Sequence, residues 1–314
     1  MPASYRDIHL IYNPAAGKLQ RGSIDVIHRA AEVLRNLGNG VNLVPTSGPK
    51  EARTLARRAV AGGADLVLVA GGDGTINEAM NGVVLSNTPM GVLPLGTANV
   101  LATELGLARS TEEVAALVPG LVQERISVGF LQTAEGQSRY FAMMAGIGLD
   151  AHIVVNVDLE LKKKLGKLAY WIGGFAQLGQ KFPEFQVTIE GVPTRSSFTL
   201  AARVRNYGGD IEIAKSACLL DDYFEVVAFE GEDSFQYLKY FTGVLANLLD
   251  DMKGVTIKKA REIEFTCPRD SNVYVQVDGE LAGKLPATIE IVPDALTLLM
   301  PAAVRTKFSG CGGR

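Results

Sequence analysis

Four short apolar segments, each followed by a turn and a helical pattern, occupy the first third of the 314-residue sequence. The predicted strands are Ile8 to Tyr12, Val41 to Val44, Leu66 to Ala70 and Met90 to Leu93. Fully apolar strands that alternate with helices are typical of a parallel sheet covered on both faces. Ligands of such sheets bind beyond the carboxyl ends of the strands, where the connecting turns meet.

The pattern changes at about Arg125, beyond which short strands separated by turns replace the alternation. Two helical stretches interrupt these strands, at about 159–178 and 234–252. The sequence therefore predicts an α/β plus β protein with two domains. A parallel α/β domain covers residues 1–125, and a β-sandwich or strongly curved sheet covers residues 126–297.

Composition excludes several classes of protein. Apolar residues make up 47% and charged residues 21% of the chain, and the net charge is −3, so we expect a globular protein with no nucleic-acid partner. The three isolated cysteines, Cys218, Cys267 and Cys311, fit a reducing cytosol better than a disulfide framework or a zinc site. The sequence shows no signal peptide, and no apolar run approaches the ~18 residues of a membrane span. We therefore expect a cytoplasmic protein.

The third predicted strand runs into the sequence GGDGT, residues 71–75, before a helix. Its three glycines permit positive φ angles and let backbone N–H groups approach a ligand without an intervening Cβ. Thr75 and Glu78 have the spacing of a capping box, so the helix is predicted to begin beside Thr75. A glycine turn at a helix N-terminus suits phosphate, and the alternative is a tight turn without a ligand. The spacing matches neither a Walker A motif nor a dinucleotide fingerprint.

Polar residues at two further positions support a nucleotide site. Asp73 is predicted to order the turn or to approach a nucleotide-bound Mg²⁺, because a carboxylate facing phosphate requires a cation between them. One strand later, PLGTAN at 94–99 repeats the arrangement, with Gly96 in the turn and with Thr97 and Asn99 near the next helix. Taken alone, this second loop is equally well explained as a capped turn.

Together these motifs resemble the diacylglycerol kinase catalytic family, which includes bacterial lipid kinases, sphingosine kinases and ceramide kinases. The resemblance spans nearly the whole chain, and GGDGT followed by PLGTAN at this spacing is specific, whereas GGDGT alone also occurs in NAD kinases. The matching segments are NPAAG (13–17), GGDGTINE (71–78), PLGTAN (94–99), GIGLDA (146–151) and VDGE (277–280).

The resemblance implies an ATP-binding α/β domain and a β-sandwich domain for the lipid substrate, with the active site in the cleft between them. The C-terminal segment 298–314 is expected to return to the first domain. The implied reaction is transfer of the ATP γ-phosphate to a lipid hydroxyl, with Mg²⁺ as the metal. The implied ATP contacts are Thr46, Gly71, Gly72, Asp73, Gly74, Thr75, Ile76, Asn77 and Thr97.

Asp278 is implied as the general base, with Glu280 beside it. A positioned base contributes about 10²–10⁴-fold to a rate. Without the resemblance, the pattern VYVQVDGELAG predicts a hairpin, because Asp-Gly is a favoured pair for tight hairpin turns. Both interpretations of Asp278 stand at this point.

The segment CLLDDYFEV at 218–226 is a candidate metal site. By the resemblance, the Asp222 side chain and the carbonyls of Leu219 and Phe224 hold a structural Mg²⁺, which prefers oxygen ligands. Without the resemblance, the two aspartates form a solvated turn. This chain has Tyr223 where the family often has glycine, which is a departure from the pattern.

Residues 160–182 combine basic residues with aromatic ones: Lys162, Lys163, Lys164, Lys167, Tyr170, Trp171 and Phe175. This composition predicts either a segment on an anionic membrane surface or a helix packed on the second domain with its lysines in water. For a lipid acceptor we expect peripheral association with the inner face of the membrane. The resemblance is also compatible with a homodimer.

Two other functions are compatible with the same fold. An NAD kinase shares GGDGT, but the chain shows no further NAD kinase motif. A non-catalytic nucleotide or lipid sensor would be expected to lose acidic site residues, whereas Asp73, Asp278 and Glu280 are present. The sequence therefore favours an ATP- and Mg²⁺-dependent lipid kinase, and no motif indicates which lipid is the acceptor.

Overall fold

The computed structural model describes residues 4–14, 24–148, 182–207, 212–269 and 271–309. The chain divides into two compact units, one formed by Met1–Val128 with Pro293–Arg314 and the other by Gly129–Val292. The predicted helix at 159–178 and, except for Phe182, the lysine-rich segment at 160–182 lie outside the described residues.

The first unit is built on a parallel sheet with the strand order β2-β1-β3-β4. These strands are β1 (Ile8–Tyr12), β2 (Val41–Pro45), β3 (Leu66–Gly71) and β4 (Met90–Pro94). Every residue of β3 and β4 is buried, because helices cover a parallel sheet on both faces. The predicted parallel α/β domain is confirmed.

Each strand of this sheet is followed by one or two helices. They are α1 (Asp25–Asn36), α2 (Glu51–Ala61), α3 (Asp73–Val83), α4 (Val100–Glu104) and α5 (Thr111–Leu117). Pro49 lies outside α2, which begins at Glu51. The reason is that Lys50 has a left-handed φ of 64° and donates its N–H to the Glu78 carboxylate at 2.9 Å.

The C-terminal part of the chain also belongs to the first unit. The long strand β16 (Ala287–Met300) ends in a parallel pairing with β4. Helix α7 (Ala302–Ser309) follows, and its Arg305 forms an ion pair with Glu124. The unit is therefore assembled from two separate stretches of the sequence.

The second unit is antiparallel throughout its described strands. They are β5 (Val122–Thr133), β6 (Ser138–Phe141), β7 (Met144–Gly148), β8 (Phe185–Ile189), β9 (Val192–Ser196), β10 (Phe198–Ala202), β11 (Phe224–Phe229), β12 (Val255–Ala260), β13 (Glu262–Thr266), β14 (Tyr274–Val277), β15 (Glu280–Lys284) and the first part of β16, with helix α6 (Ser234–Leu245). One sheet has the order β12-β11-β10-β7-β14-β15, and the other contains β16-β13-β8-β9. The chain crosses between the units within β5 and within β16.

The core of the second unit contains side chains from both sheets. β13 alternates between buried and exposed residues, which directs Ile263 and Phe265 into this core. From the other sheet, Phe224 stacks on Phe141 with a ring-centroid separation of 5.7 Å. Two antiparallel sheets that share one apolar core form a sandwich, so the predicted β-sandwich domain is confirmed.

Candidate active site

The parallel strands of the first unit end at one edge of the sheet. Tyr12 pairs with Pro45, and Gly71 pairs with Pro94. Just beyond β2, the N–H of Thr46 donates to the Tyr12 carbonyl at 2.9 Å. This edge therefore brings Thr46 and the loops that follow β3 and β4 into one region of the first unit.

The two glycine loops contact each other through their backbones. A Cβ atom added to Gly96 would lie 2.5 Å from the Cα of Gly72, and one added to Gly72 would lie 3.3 Å from the Cα of Gly96. A Cβ atom on Gly71 would lie 2.7 Å from the Cβ of Thr75. Close approach requires glycine at position 96 and disfavours a side chain at position 72, where the φ of −86° is ordinary.

Helix α3 begins earlier than the sequence predicted. Gly72 is the N-cap and Asp73 the first helical residue, and no side chain caps this end. The predicted capping box of Thr75 and Glu78 is therefore wrong, because Thr75 lies inside the first turn and Glu78 accepts the Lys50 N–H instead. A helix leaves its first N–H groups without intrahelical acceptors, so this end retains donors suited to an anion.

Asp73 and Asn99 order the second loop. One carboxylate oxygen of Asp73 accepts the N–H of Leu101 in the first turn of α4, at 3.4 Å. The side-chain amide of Asn99 forms two hydrogen bonds with the backbone of Gly96. Its Oδ1 accepts the Gly96 N–H at 2.7 Å, and its Nδ2 donates to the Gly96 carbonyl at 2.9 Å. Asn99 has a left-handed φ of 49°, which asparagine tolerates better than most residues. The sequence placed Asn99 near this loop but did not predict its structural role.

The remaining predicted ATP contacts differ in exposure. Thr97 is exposed and Thr75 is half-buried, whereas only 9% of Thr46 is accessible. Ile76 and Asn77 are each 1% exposed, so their side chains face the interior of the unit. The Ile76 N–H also donates to the Gly72 carbonyl at 3.0 Å, so it is not one of the first-turn donors left for an anion.

Asp278 occupies the tight turn between β14 and β15 in the second unit. Asp278 and Gly279 both have positive φ angles, of 49° and 85°, as a type I′ hairpin turn requires. The hairpin predicted from the sequence is therefore present. Glu280 follows as the first residue of β15 and is exposed.

The Asp278 carboxylate is buried, which a hairpin turn does not require. The residue is 5% exposed. Its Oδ1 accepts the N–H groups of Met143 and Met144, each at 3.0 Å, and its Oδ2 accepts the N–H of Ala142 at 3.1 Å. Three such bonds to a carboxylate fix its position and stabilise its charge.

A buried arginine dominates the loop that contains the predicted metal ligands. Arg203 is 0% exposed, and its guanidinium donates to the carbonyls of Leu219 at 2.7 Å and Asp221 at 2.9 Å. Burial lowers its pKa to about 10, an effect opposed chiefly by the Asp222 carboxylate. The group therefore remains charged at neutral pH. Arg203 was not among the residues predicted from the sequence, where it is only a cation next to an apolar segment.

The predicted metal ligands do not form a suitable set for Mg²⁺. The Leu219 carbonyl is bonded to a cation, Asp222 is exposed, and Phe224 is the fully buried first residue of β11. Within the described part of the chain, no group of three or more His, Cys, Asp or Glu side chains could hold a metal ion. Tyr223, which replaces the family's glycine, accepts a hydrogen bond from Lys259 Nζ at 2.6 Å.

Two family models together cover most of the sequence. Residues 7–131 match the diacylglycerol kinase catalytic domain. Residues 143–300 match the YegS C-terminal NAD kinase beta sandwich-like domain. These matches agree with the α/β and β-sandwich architectures of the two units.

Relatives resemble the chain over nearly its full length. The diacylglycerol kinase of Mycobacterium tuberculosis is 29% identical over 295 residues, covering 92% of this chain and 93% of the relative. That of Bacillus subtilis is 27% identical over 300 residues, covering 93% and 95%. A crystal structure of a diacylglycerol kinase from Bacillus anthracis has the same fold, with a TM-score of 0.77 and 21% identity over 97% of this chain and all of that one. The chain therefore belongs to the diacylglycerol kinase family of lipid kinases.

Proposed function

We propose that this protein is an ATP- and Mg²⁺-dependent kinase that transfers the γ-phosphate to a hydroxyl of diacylglycerol or a related lipid. The observation that carries the proposal is the contact between Gly72 and Gly96 beside the uncapped N-terminus of α3. Two backbones that approach this closely leave no room for a side chain between the loops, and the uncapped first turn of α3 supplies N–H donors of the kind that bind phosphate.

The ATP phosphates are proposed to bind at residues 71–77, with Thr46 and Thr97 as further contacts at the same sheet edge. Gly71, Gly72 and Gly74 keep side chains away from the phosphates, and the first-turn N–H groups of α3 donate to them. Asp73 orders the loop through Leu101. Mg²⁺ bound with ATP would neutralise phosphate charge, which is the main electrostatic requirement of phosphoryl transfer.

Asp278 is proposed to accept the proton of the lipid hydroxyl. The lipid oxygen forms a bond to the γ-phosphorus, the bond from that phosphorus to the ADP oxygen breaks, and the hydroxyl proton passes to the carboxylate. Burial and three N–H donors hold Asp278 in one position, which a base needs more than a turn residue does. Glu280 is proposed as an acidic neighbour of this base.

A lipid acceptor would place the reaction at a membrane surface. Within the described ranges, no helix combines the length and apolarity needed to cross a membrane. Association of residues 160–182 with the inner face of the membrane stays a prediction. The homodimer also stays a prediction.

The first prediction concerns transfer itself. With Mg·[γ-³²P]ATP and mixed micelles of diacylglycerol, monoacylglycerol, phosphatidylglycerol or sphingosine, the full chain should label at least one lipid. Asp278→Asn should reduce kcat by about 10²–10⁴-fold without changing the KM for ATP. Binding of ATP without labelling of any of these lipids would contradict the proposal and favour a nucleotide sensor. Labelling at an unchanged rate in Asp278→Asn would remove Asp278 as the base.

The second prediction separates the structural role of Asp278 from its chemistry. In Asp278→Asn an NH₂ group must face at least one backbone N–H that now donates to a carboxylate oxygen. An unsatisfied buried group costs about 1–3 kcal/mol, so the free energy of unfolding measured in urea should fall by that amount. Asp294 is a matched control because it has a similar φ of 47° but is exposed. Asp294→Asn should change stability by less than about 0.5 kcal/mol, and equal effects of the two substitutions would refute the assigned role.

The third prediction tests the glycine contact. In Gly96→Ala the new Cβ would meet the Gly72 backbone at 2.5 Å, so the loops must separate. A small displacement of this kind is expected to weaken Mg·ATP binding by about tenfold or more, measured by isothermal titration calorimetry. Gly120→Ala is the control, because a Cβ there meets nothing within 4 Å. Unchanged ATP affinity in a folded Gly96→Ala variant would show that this contact does not shape the nucleotide site.

A further inference from the structure

The loop around residues 217–224 is organised around positive charge supplied by the protein itself. Two of its carbonyl oxygens, those of Leu219 and Asp221, accept hydrogen bonds from Arg203. A third, that of Ala217, accepts a longer bond of 3.4 Å from Arg205 Nε. Carbonyl oxygens that converge on a cation are the usual surroundings of a bound metal ion, but here the cations are guanidinium groups.

We propose that the guanidinium of Arg203 is the resident cation of this loop and takes the place of the structural Mg²⁺ that the family resemblance implied. The proposal does not depend on the identity of the lipid or on the catalytic role of Asp278. It concerns what holds the loop in its folded conformation.

The distances disfavour simultaneous binding of the Arg203 guanidinium and a Mg²⁺ ion to the Leu219 oxygen. Arg203 Nη2 lies 2.7 Å from the Leu219 oxygen, and Mg²⁺ binds oxygen at about 2.1 Å. A Mg²⁺ on the same oxygen would therefore lie within about 5 Å of the guanidinium nitrogen, where two positive charges in a buried site repel strongly. Arg203 is fully buried, so solvent does not screen this repulsion.

The neighbouring side chains balance the arginine and tie the loop without a metal. The Asp222 carboxylate, predicted as the side-chain ligand of Mg²⁺, instead provides the strongest counter-charge for Arg203. Tyr223 links two parts of the unit, because its hydroxyl bonds to Lys259 Nζ and the same ammonium lies 4.3 Å from its ring centroid. Tyr223, which stands where the family often has glycine, therefore ties the loop to β12 through Lys259.

The test is thermal unfolding of the full, nucleotide-free chain after treatment with EDTA, with and without added Mg²⁺. A structural site filled at 100 times its dissociation constant would raise Tm by about 5 °C or more. We expect a change of less than about 1 °C. Asp221→Asn and Asp222→Asn are run alongside, because one oxygen of Asp221 is buried without a hydrogen-bond partner and could also serve as a ligand.

The outcomes decide the proposal. A Mg²⁺-dependent rise in Tm that disappears in either aspartate variant would overturn it. No rise, or a rise that survives in both variants, would leave this loop without a metal and support it.

Arg203→Met provides an independent arm. It removes the charge, leaves the Leu219 and Asp221 carbonyls unsatisfied, and leaves buried Asp221 without its neighbouring cation. Buried carbonyls that lose their donors destabilise a fold, and we expect a fall in Tm of about 5 °C or more. Arg205→Met is the matched control, since Arg205 is half-buried and its bond to this loop is the longer one, at 3.4 Å. An Arg203→Met variant with the Tm of the unsubstituted chain would contradict the proposal.

Discussion

The contact between Gly72 and Gly96 is the constraint on which the proposed phosphate site of the first unit depends. Because β3 and β4 are adjacent parallel strands in register, their following loops leave the sheet at the same level and meet. The observed separation excludes a Cβ atom at Gly96 and would make one at Gly72 a tight contact. The contact brings the N-terminus of α3 beside the loop that leads to α4, and Asn99 and Asp73 stabilise this arrangement. The proposed phosphate site follows from the packing of two backbones rather than from a special φ angle.

Two buried charged side chains of the second unit, Asp278 and Arg203, are stabilised by hydrogen bonds to backbone groups. Asp278 accepts three N–H bonds, and Arg203 donates to two carbonyls. Met143 also connects the two residues through its backbone. Its carbonyl accepts the backbone N–H of Arg203 at 2.8 Å, and its own N–H donates to the Asp278 carboxylate. Buried charges are stable only under such conditions. If Arg203 replaces a structural metal, the Mg²⁺ proposed for the reaction would be the ion that enters with ATP.

The sequence predicted the sheet well, because apolar strand segments followed by glycine turns are local features. β1 has the predicted bounds, and the other three strands of the sheet differ from the prediction by one residue at their carboxyl ends. The capping box at Thr75 failed because the Glu78 carboxylate has a distant partner, Lys50. The roles of Asn99 and Arg203 were missed for a similar reason. Both depend on partners that only the folded chain brings within hydrogen-bond distance, and neither has a distinctive sequence pattern.

The most direct test of the central claim is amide hydrogen exchange of the full chain with and without Mg·ATP. Bound phosphates would engage N–H groups of the glycine loops and restrict local opening. We expect slower exchange in peptides that span 71–77 and 95–101 when Mg·ATP is added, with unchanged exchange in β12. Unchanged exchange in both glycine loops at saturating Mg·ATP would contradict it.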